Sequence, residues 1–242
     1  MHIILTGATG TVGSPVLRQC LASPAVTRVS ILSRRQFTLP TSDGLDTQKA
    51  EIIVHNDFGA YPASVTDRLQ GANACVWALG VNTSDVSKED YIRITYDYPV
   101  AAAKAFNNLN SKFNFVFVSG EGADPTEKTM TFFGKIKGRA EAALCALPPS
   151  HSALRIFNVR PGFVDPSPHS PKPASTMKRI GLGILSPTLR TVMPNMVSPA
   201  DTLAKVLVDL ATGDGSPIPA GPGIEDEGRT VRSVGIRKLG GI

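Results

Sequence analysis

The stretch "TGATGTVG", residues 6–13, sets Gly7, Gly10 and Gly13 at three-residue spacing between an apolar strand and a helix. Glycines in that place let the backbone turn tightly and come close to a pyrophosphate. The free N–H groups at the helix N-terminus, with Thr9, Thr11 and Val12 in the loop, favour its charge. A glycine pattern alone is weak evidence, but the strand–turn–helix context is the one this chemistry requires. A second stretch, "TFFGKIKGRAE", residues 131–141, puts Lys135 and Lys137 among glycines at the start of a helix. Two ammonium groups there need solvent, a carboxylate or a phosphate to face.

Twenty positions beyond Gly13 stands "SRR", Ser33, Arg34 and Arg35, at the end of the second strand. An acidic residue there would hold the ribose 2′-hydroxyl of NAD, whereas guanidinium groups match a 2′-phosphate in a fork geometry. The expected cofactor is therefore NADP (NADPH). Other strands end in the same manner, on Asp57-Phe58, Leu79-Gly80, Ser119-Gly120 and Arg160-Pro161-Gly162. In an open α/β sheet the ligand crevice lies at those carboxyl ends, so their agreement outweighs any single motif. Asp57 by itself is the type of residue that forms turns.

The elements that must position these groups alternate along the chain. Strand-like runs are "HIILTG", "RVSILS", "EIIVHN", "ACVWALG", "FNFVFVSG" and "ALRIFNVRPG". Helical patterns separate them; after the first strand, Val16, Leu17, Cys20 and Leu21 fall on one face. Strands apolar on both faces belong to a parallel sheet covered by helices, and right-handed crossovers make it doubly wound. The expected fold is α/β, a Rossmann sheet in the order 3-2-1-4-5-6 with helices on both faces. One domain spans 1–242: a cofactor-binding core over 1–164, then a small substrate lid and C-terminal elements over 165–242. Residues 165–199 are rich in Pro and Ser and read either as a lid or as plain surface loop. "SPADTLAKVLVDLA" restores a helix with Ser198 as N-cap, and "RTVRSVGIRKL" reads as a terminal strand.

Composition narrows the function classes. The chain has 242 residues, 42% hydrophobic and 19% charged, with a net charge of +5, as expected of an ordinary globular domain rather than a disordered one. No block of Lys and Arg is dense enough for a nucleic-acid arm. The longest weakly polar stretch is interrupted by Pro187, Arg190 and Pro194, so no membrane span is expected. The three cysteines form no framework and read as reduced thiols of a cytoplasmic protein. His151 and His169 lack metal-ligand spacing, and Ser119 has no His–Asp partner pattern, so neither a metal site nor a serine hydrolase is supported. A small-molecule substrate is the expected partner, and a homodimer is compatible with the sequence.

The glycine loop, "SRR", "NDF", "ALG", "SG", "FFGKIKGRAE" and "RPG" together resemble the atypical short-chain dehydrogenases/reductases of the NAD(P)-binding, NmrA-like and HTATIP2-like type, small fungal members in particular. The resemblance covers residues 1–165 well and the remainder loosely. It implies a Rossmann fold, a bound dinucleotide and, in active relatives, hydride transfer by a Tyr-x-x-x-Lys pair with an upstream Ser. Ser119 matches the serine and Lys137 the lysine, which the resemblance places on the nicotinamide ribose. The tyrosine position holds Phe133, which has no proton to donate. Lys137 itself, if desolvation lowered its pKa, or Glu121 or Asp124 beyond the fifth strand, are the candidate replacements; Tyr96 and Tyr98 are weaker ones. The leading expectation is an NADP(H)-dependent oxidoreductase acting on a carbonyl or activated double bond. A non-catalytic dinucleotide sensor and a redox-neutral isomerase or epimerase are the alternatives.

Overall fold

The apolar runs form parallel strands: β1 (His2–Thr6), β2 (Arg28–Ser33), β3 (Ala50–Val54), β4 (Ala74–Trp77), β5 (Phe113–Val118) and β6 (Leu154–Arg160). The computed structural model describes residues 1–147, 153–167 and 191–242. The expected order 3-2-1-4-5-6 holds, and β10 (Thr230–Arg232) and β9 (Ile224–Glu225) extend it to eight strands, β9 alone antiparallel. The central strands β1, β4 and β5 are buried along their whole length, as parallel strands covered on both faces must be.

Strand β5 shows how sequence alternation builds the two layers. Phe113, Phe115 and Phe117 face one side and pack with α4 (Tyr98–Phe106), α5 (Phe132–Cys145) and α2 (Ala63–Leu69). Val116 and Val118 face the other, with α1 (Gly13–Ala22) and α6 (Ala200–Thr212). Each of these fully buried side chains contributes roughly 1.5–3 kcal/mol relative to exposure. Asn114 interrupts the apolar alternation on the α6 side. Its amide donates to the carbonyls of Leu210, Ala211 and Gly213 at 3.2, 3.2 and 2.9 Å, satisfying the α6 C-terminus.

Helix formation after β4 starts earlier than the apolar pattern indicates. Ser87 caps α3 (Lys88–Ile92) by accepting from the Asp90 N–H at 3.0 Å, and two acidic residues occupy its first turn. A π-turn over Arg93–Asp97 joins α3 to α4 without a break. The wider turn bonds residues five apart, the Tyr98 N–H donating to the Arg93 carbonyl.

Two C-terminal expectations are corrected. "RTVRSVGIRKL" is not one strand: β10 ends at Arg232, and α7 (Ser233–Gly240) follows, stopped by Gly241 at φ +84°. Arg237 and Lys238 in its last turn suit the helix dipole. Ser198 does not cap α6. It lies buried in β8 (Val197–Pro199), paired with β7 (Phe163–Asp165), and its hydroxyl meets Ser233 Oγ at 3.1 Å and the Gly162 N–H at 3.3 Å. Most of the segment expected as lid or loop, with His151 and His169, lies outside the described residues.

Candidate active site

The loop after β1 has the shape the glycines imply. Gly7 takes φ +67°, and a Cβ there would stand 2.4 Å from the Ala78 carbonyl, so this residue must be glycine for β1 and β4 to end side by side. A Cβ on Gly13 would lie 2.0 Å from the Gly7 carbonyl, so α1 starts in contact with the loop. Gly10 differs: its Cβ would meet nothing closer than the Gly7 carbonyl at 3.2 Å. The first turn of α1 has no side-chain cap and no acidic residue. An uncapped helix start beside a bare backbone is a fit for a pyrophosphate. Thr6 Oγ1 accepts from the Leu79 N–H at 3.2 Å and ties the neighbouring strand ends together.

Beyond the loop, the ends of β2, β3 and β4 enclose a cavity of about 240 Å³ whose lining includes Arg34, Phe58, Leu79, Arg93, Ile94 and Tyr98. Whole drug-sized ligands occupy roughly 300–1,000 Å³, so this cavity fits part of a dinucleotide, such as its adenosine end. Arg34 is exposed and has no ion partner among the described residues. Arg35 and Asp57 are not in the lining. Ser33 Oγ donates to the Arg35 carbonyl at 2.8 Å, shaping the turn. Asp57 accepts from the Gly59 N–H at 2.9 Å and borders a different, more open depression with His55 and Tyr61. Asp57 is therefore a turn former here. Gly80 follows Leu79 with open space beside it.

At the other end of the crevice α5 meets β5. Thr131 caps α5 by accepting from the Gly134 N–H at 3.2 Å. The Lys137 ammonium is buried, donates to the Val118 carbonyl at 2.9 Å and lies 5.0 Å from the centroid of the Phe117 ring. Desolvation lowers its pKa from 10.5 to about 8, with Glu141 one turn along α5 opposing the shift. Lys135 is half-buried and on another side of the helix. Next to Val118, the Ser119 hydroxyl is buried with no hydrogen-bond partner among the described residues. Phe133 covers Gly120: a Cβ on Gly120 would lie 2.6 Å from the Phe133 Cζ, the atom that carries the hydroxyl in a tyrosine.

Two of the expected site residues have other partners, which corrects their assignment. Arg160 Nε donates to Glu141 at 2.9 Å and its Nη1 to Glu225 at 3.1 Å, so its guanidinium is locked into a buried ion pair rather than presented to a ligand. Glu121 accepts from the Ser233 N–H at 2.8 Å and from Arg232 Nη2 at 3.1 Å. With both oxygens accepting, Glu121 pins α7 to the β5 loop and is not placed as an acid. Asp124 likewise accepts from Thr126 and Thr129 within its own loop. Pro161 accepts from the Glu121 N–H at 2.9 Å, and a Cβ on Gly162 would stand 2.1 Å from the Met196 carbonyl. Both shape the turn after β6.

Sequence reading missed Arg93, Glu141 and Arg232. Glu141 had a signal, standing four residues after Lys137 on one helix. Arg93 and Arg232 had none, because only the topology brings them to these strand ends.

A glycine loop at an uncapped helix start, an arginine-lined cavity beside it and a Ser/Lys pair at β5 define a dinucleotide-binding Rossmann protein. Leucinostatins biosynthesis cluster protein T of Purpureocillium lilacinum is 31% identical over 261 residues, covering 98% of this chain and 94% of that protein. Protein HTATIP2 of Rattus norvegicus is 21% identical over 221 residues, 86% of each chain. The PhqB reductase domain from Penicillium fellutanum superposes with a TM-score of 0.65 at 16% identity, covering 87% of this chain and 64% of that one. No family model matches. The chain belongs to the atypical, NmrA-like short-chain dehydrogenases/reductases, an NAD(P)-binding family. No helix among the described residues is long and apolar enough to cross a membrane.

Proposed function

We propose that the protein is an NADP(H)-dependent oxidoreductase that reduces a carbonyl or activated double bond of a small organic molecule, with Lys137 and Ser119 acting without the family's tyrosine. A relative spanning nearly the whole chain is named for a biosynthesis cluster, which supports a small metabolite as substrate. The carrying observation is the buried Lys137 ammonium, bonded to the Val118 carbonyl, one residue before the buried Ser119 hydroxyl that has no hydrogen-bond partner among the described residues.

The glycine loop and Arg34 would hold the dinucleotide, and Lys137 would serve its nicotinamide end. When bound, the nicotinamide supplies the hydride. The carbonyl oxygen then gains charge, which is costly to leave bare in a dry site. The unpartnered Ser119 hydroxyl donates to that oxygen and orients it. Lys137 has two N–H donors beyond the one on Val118, and a pKa of about 8 leaves it protonated at neutral pH yet able to release the proton. It gives that proton to the oxygen and is recharged from solvent. Phe133 takes no part beyond excluding water. For a polarised double bond the same proton goes to the carbon that does not receive the hydride.

One observation favours a second reading. The Phe133 ring occupies the position over Gly120 where its relatives keep their acid, as expected if the site binds NADPH and reports it without turnover. Steady-state NADPH oxidation against small aldehydes, ketones and enones separates the two. Turnover that falls about a hundredfold in Lys137→Met, with NADPH affinity measured beside it, supports the reductase. Tight NADPH binding with no turnover across the panel supports the sensor.

A further inference from the structure

We propose that Arg93 joins Arg34 in a two-guanidinium clamp on the ribose 2′-phosphate, the place the sequence gives to Arg35. The proposal rests on the NADP reading and adds to it the residue that sets the preference. Arg34 and Arg35 are consecutive at a strand end, where neighbouring side chains diverge, and only Arg34 lines the cavity. Arg93 lines it from another element, carried there by the π-turn between α3 and α4. That cavity thus has two cations and no carboxylate in its lining. Its remaining walls, Phe58, Leu79, Ile94 and Tyr98 among them, suit the faces of a purine.

Charge makes the two arginines available. Arg34 has no ion partner among the described residues. Arg93 pairs with Asp90 at 2.6 Å, three residues back on the same helix, with the two side chains 58% and 43% exposed. An exposed pair of that kind is weak, so it does not hold the guanidinium against a dianion. A 2′-phosphate has three acceptor oxygens and matches two forks, whereas a 2′-hydroxyl would leave two like charges facing one another without an anion between them.

Calorimetry on Arg34→Ala, Arg35→Ala, Arg93→Ala and Arg93→Lys tests the assignment, with 2′,5′-ADP, 5′-AMP, NADPH and NADH as probes. Arg93→Ala should lose about tenfold in affinity for 2′,5′-ADP and NADPH while 5′-AMP and NADH stay within about twofold. Arg93→Lys should recover part of the loss, since the charge remains without the fork. Arg35→Ala should leave all four affinities within about twofold. Equal losses for NADH and NADPH in Arg93→Ala would move Arg93 to the base or the pyrophosphate and overturn the clamp. So would a preference for NADPH that survives Arg93→Ala. If the unmodified protein binds NADH as well as NADPH, the NADP reading itself falls. Thermal melts without ligand confirm that each variant is folded.

Discussion

The two ends of the crevice handle charge in opposite ways. At the arginine-lined end, proposed above for the adenosine, Arg34 has no ion partner among the described residues and Arg93 has one exposed partner on its own helix. At the β5–β6 end, Glu141, Arg160, Glu225, Arg232 and Glu121 are linked in one chain of ion pairs. Lys137 is the exception there, its ammonium resting on a carbonyl and a ring. Cations kept in water await an anion at small cost to stability. Charges drawn into the interior must be paired to be tolerated, so these hold the fold.

Stability should separate the two ends most sharply. Arg160→Met removes the partner of Glu141, whose side chain is 2% exposed, and should cost about 3–5 kcal/mol, the scale for stranding one member of a buried pair. Arg34→Ala should stay within about 0.5 kcal/mol. Urea midpoints for both decide it: similar values would mean that the Glu141–Arg160 pair carries no more than a surface contact.

Lys137 gives the next effect, and its sign is informative. Its folded pKa of about 8 lies below the usual 10.5, so between those values the unfolded chain binds more protons. Stability contributed by this site therefore rises with pH across that window, and the burden of the buried charge is felt in full below about pH 8. The span corresponds to something on the order of 3 kcal/mol. Measured against Lys137→Met, the unmodified protein should gain stability from pH 8 to 10.5. A difference that stays flat with pH would show that the lysine titrates normally.

The glycine loop supplies a comparison within the adenosine end. Gly10→Val should fold, because its Cβ meets a single atom, the Gly7 carbonyl, at 3.2 Å. It should nonetheless lose the melting shift that NADPH gives the unmodified protein, worth about 2.7 kcal/mol at a hundredfold excess over Kd. Gly7→Val should fail to fold, because its Cβ would press on the Ala78 carbonyl. A normal NADPH shift in Gly10→Val would show that the pyrophosphate lies elsewhere.

The adenosine end was the more legible of the two for a physical reason. Its signals are local: glycines at fixed spacing, a strand before them and a helix after, arginines at a strand end. Even there, period-two alternation alone could not say which of Arg34 and Arg35 enters the cavity, and Arg93 belongs to a helix whose start the apolar pattern missed. The β5–β6 end depends on long-range pairing. Nothing in "RPG" reveals that Arg160 will meet Glu141, nor in "SGEG" that Glu121 will hold the start of α7, more than a hundred residues away. The fold was legible because the central strands β1, β4 and β5 are buried on both faces and stand out as apolar runs. The terminal strand was misread because the β-forming Thr230 and Val231 run straight into Val234 and Ile236, which stand two apart like a continuing strand.

The smallest effect, and the most pointed, is expected from Phe133→Tyr. The added hydroxyl extends from Cζ, the Phe133 atom that would stand 2.6 Å from a Cβ on Gly120, the residue after Ser119. Ser119 Oγ is buried with no partner among the described residues, and a hydroxyl that reached it would offer one. A hydrogen bond there contributes about 0.5–1.5 kcal/mol net, against some strain if the ring must shift, and the change in stability should stay within about 1 kcal/mol. In activity the substitution restores the family's acid at its usual position, four residues and about one helical turn before Lys137, completing the Tyr-x-x-x-Lys pair. Turnover of a simple carbonyl should then hold or rise. Its pH dependence should come to reflect the tyrosine beside the ammonium rather than Lys137 alone. Under the sensor reading, turnover appearing only in Phe133→Tyr would mean that the missing hydroxyl is what silences the site. A folded variant that binds NADPH normally but loses pre-existing turnover would show that the ring's apolar face, not the missing hydroxyl, is what the substrate needs.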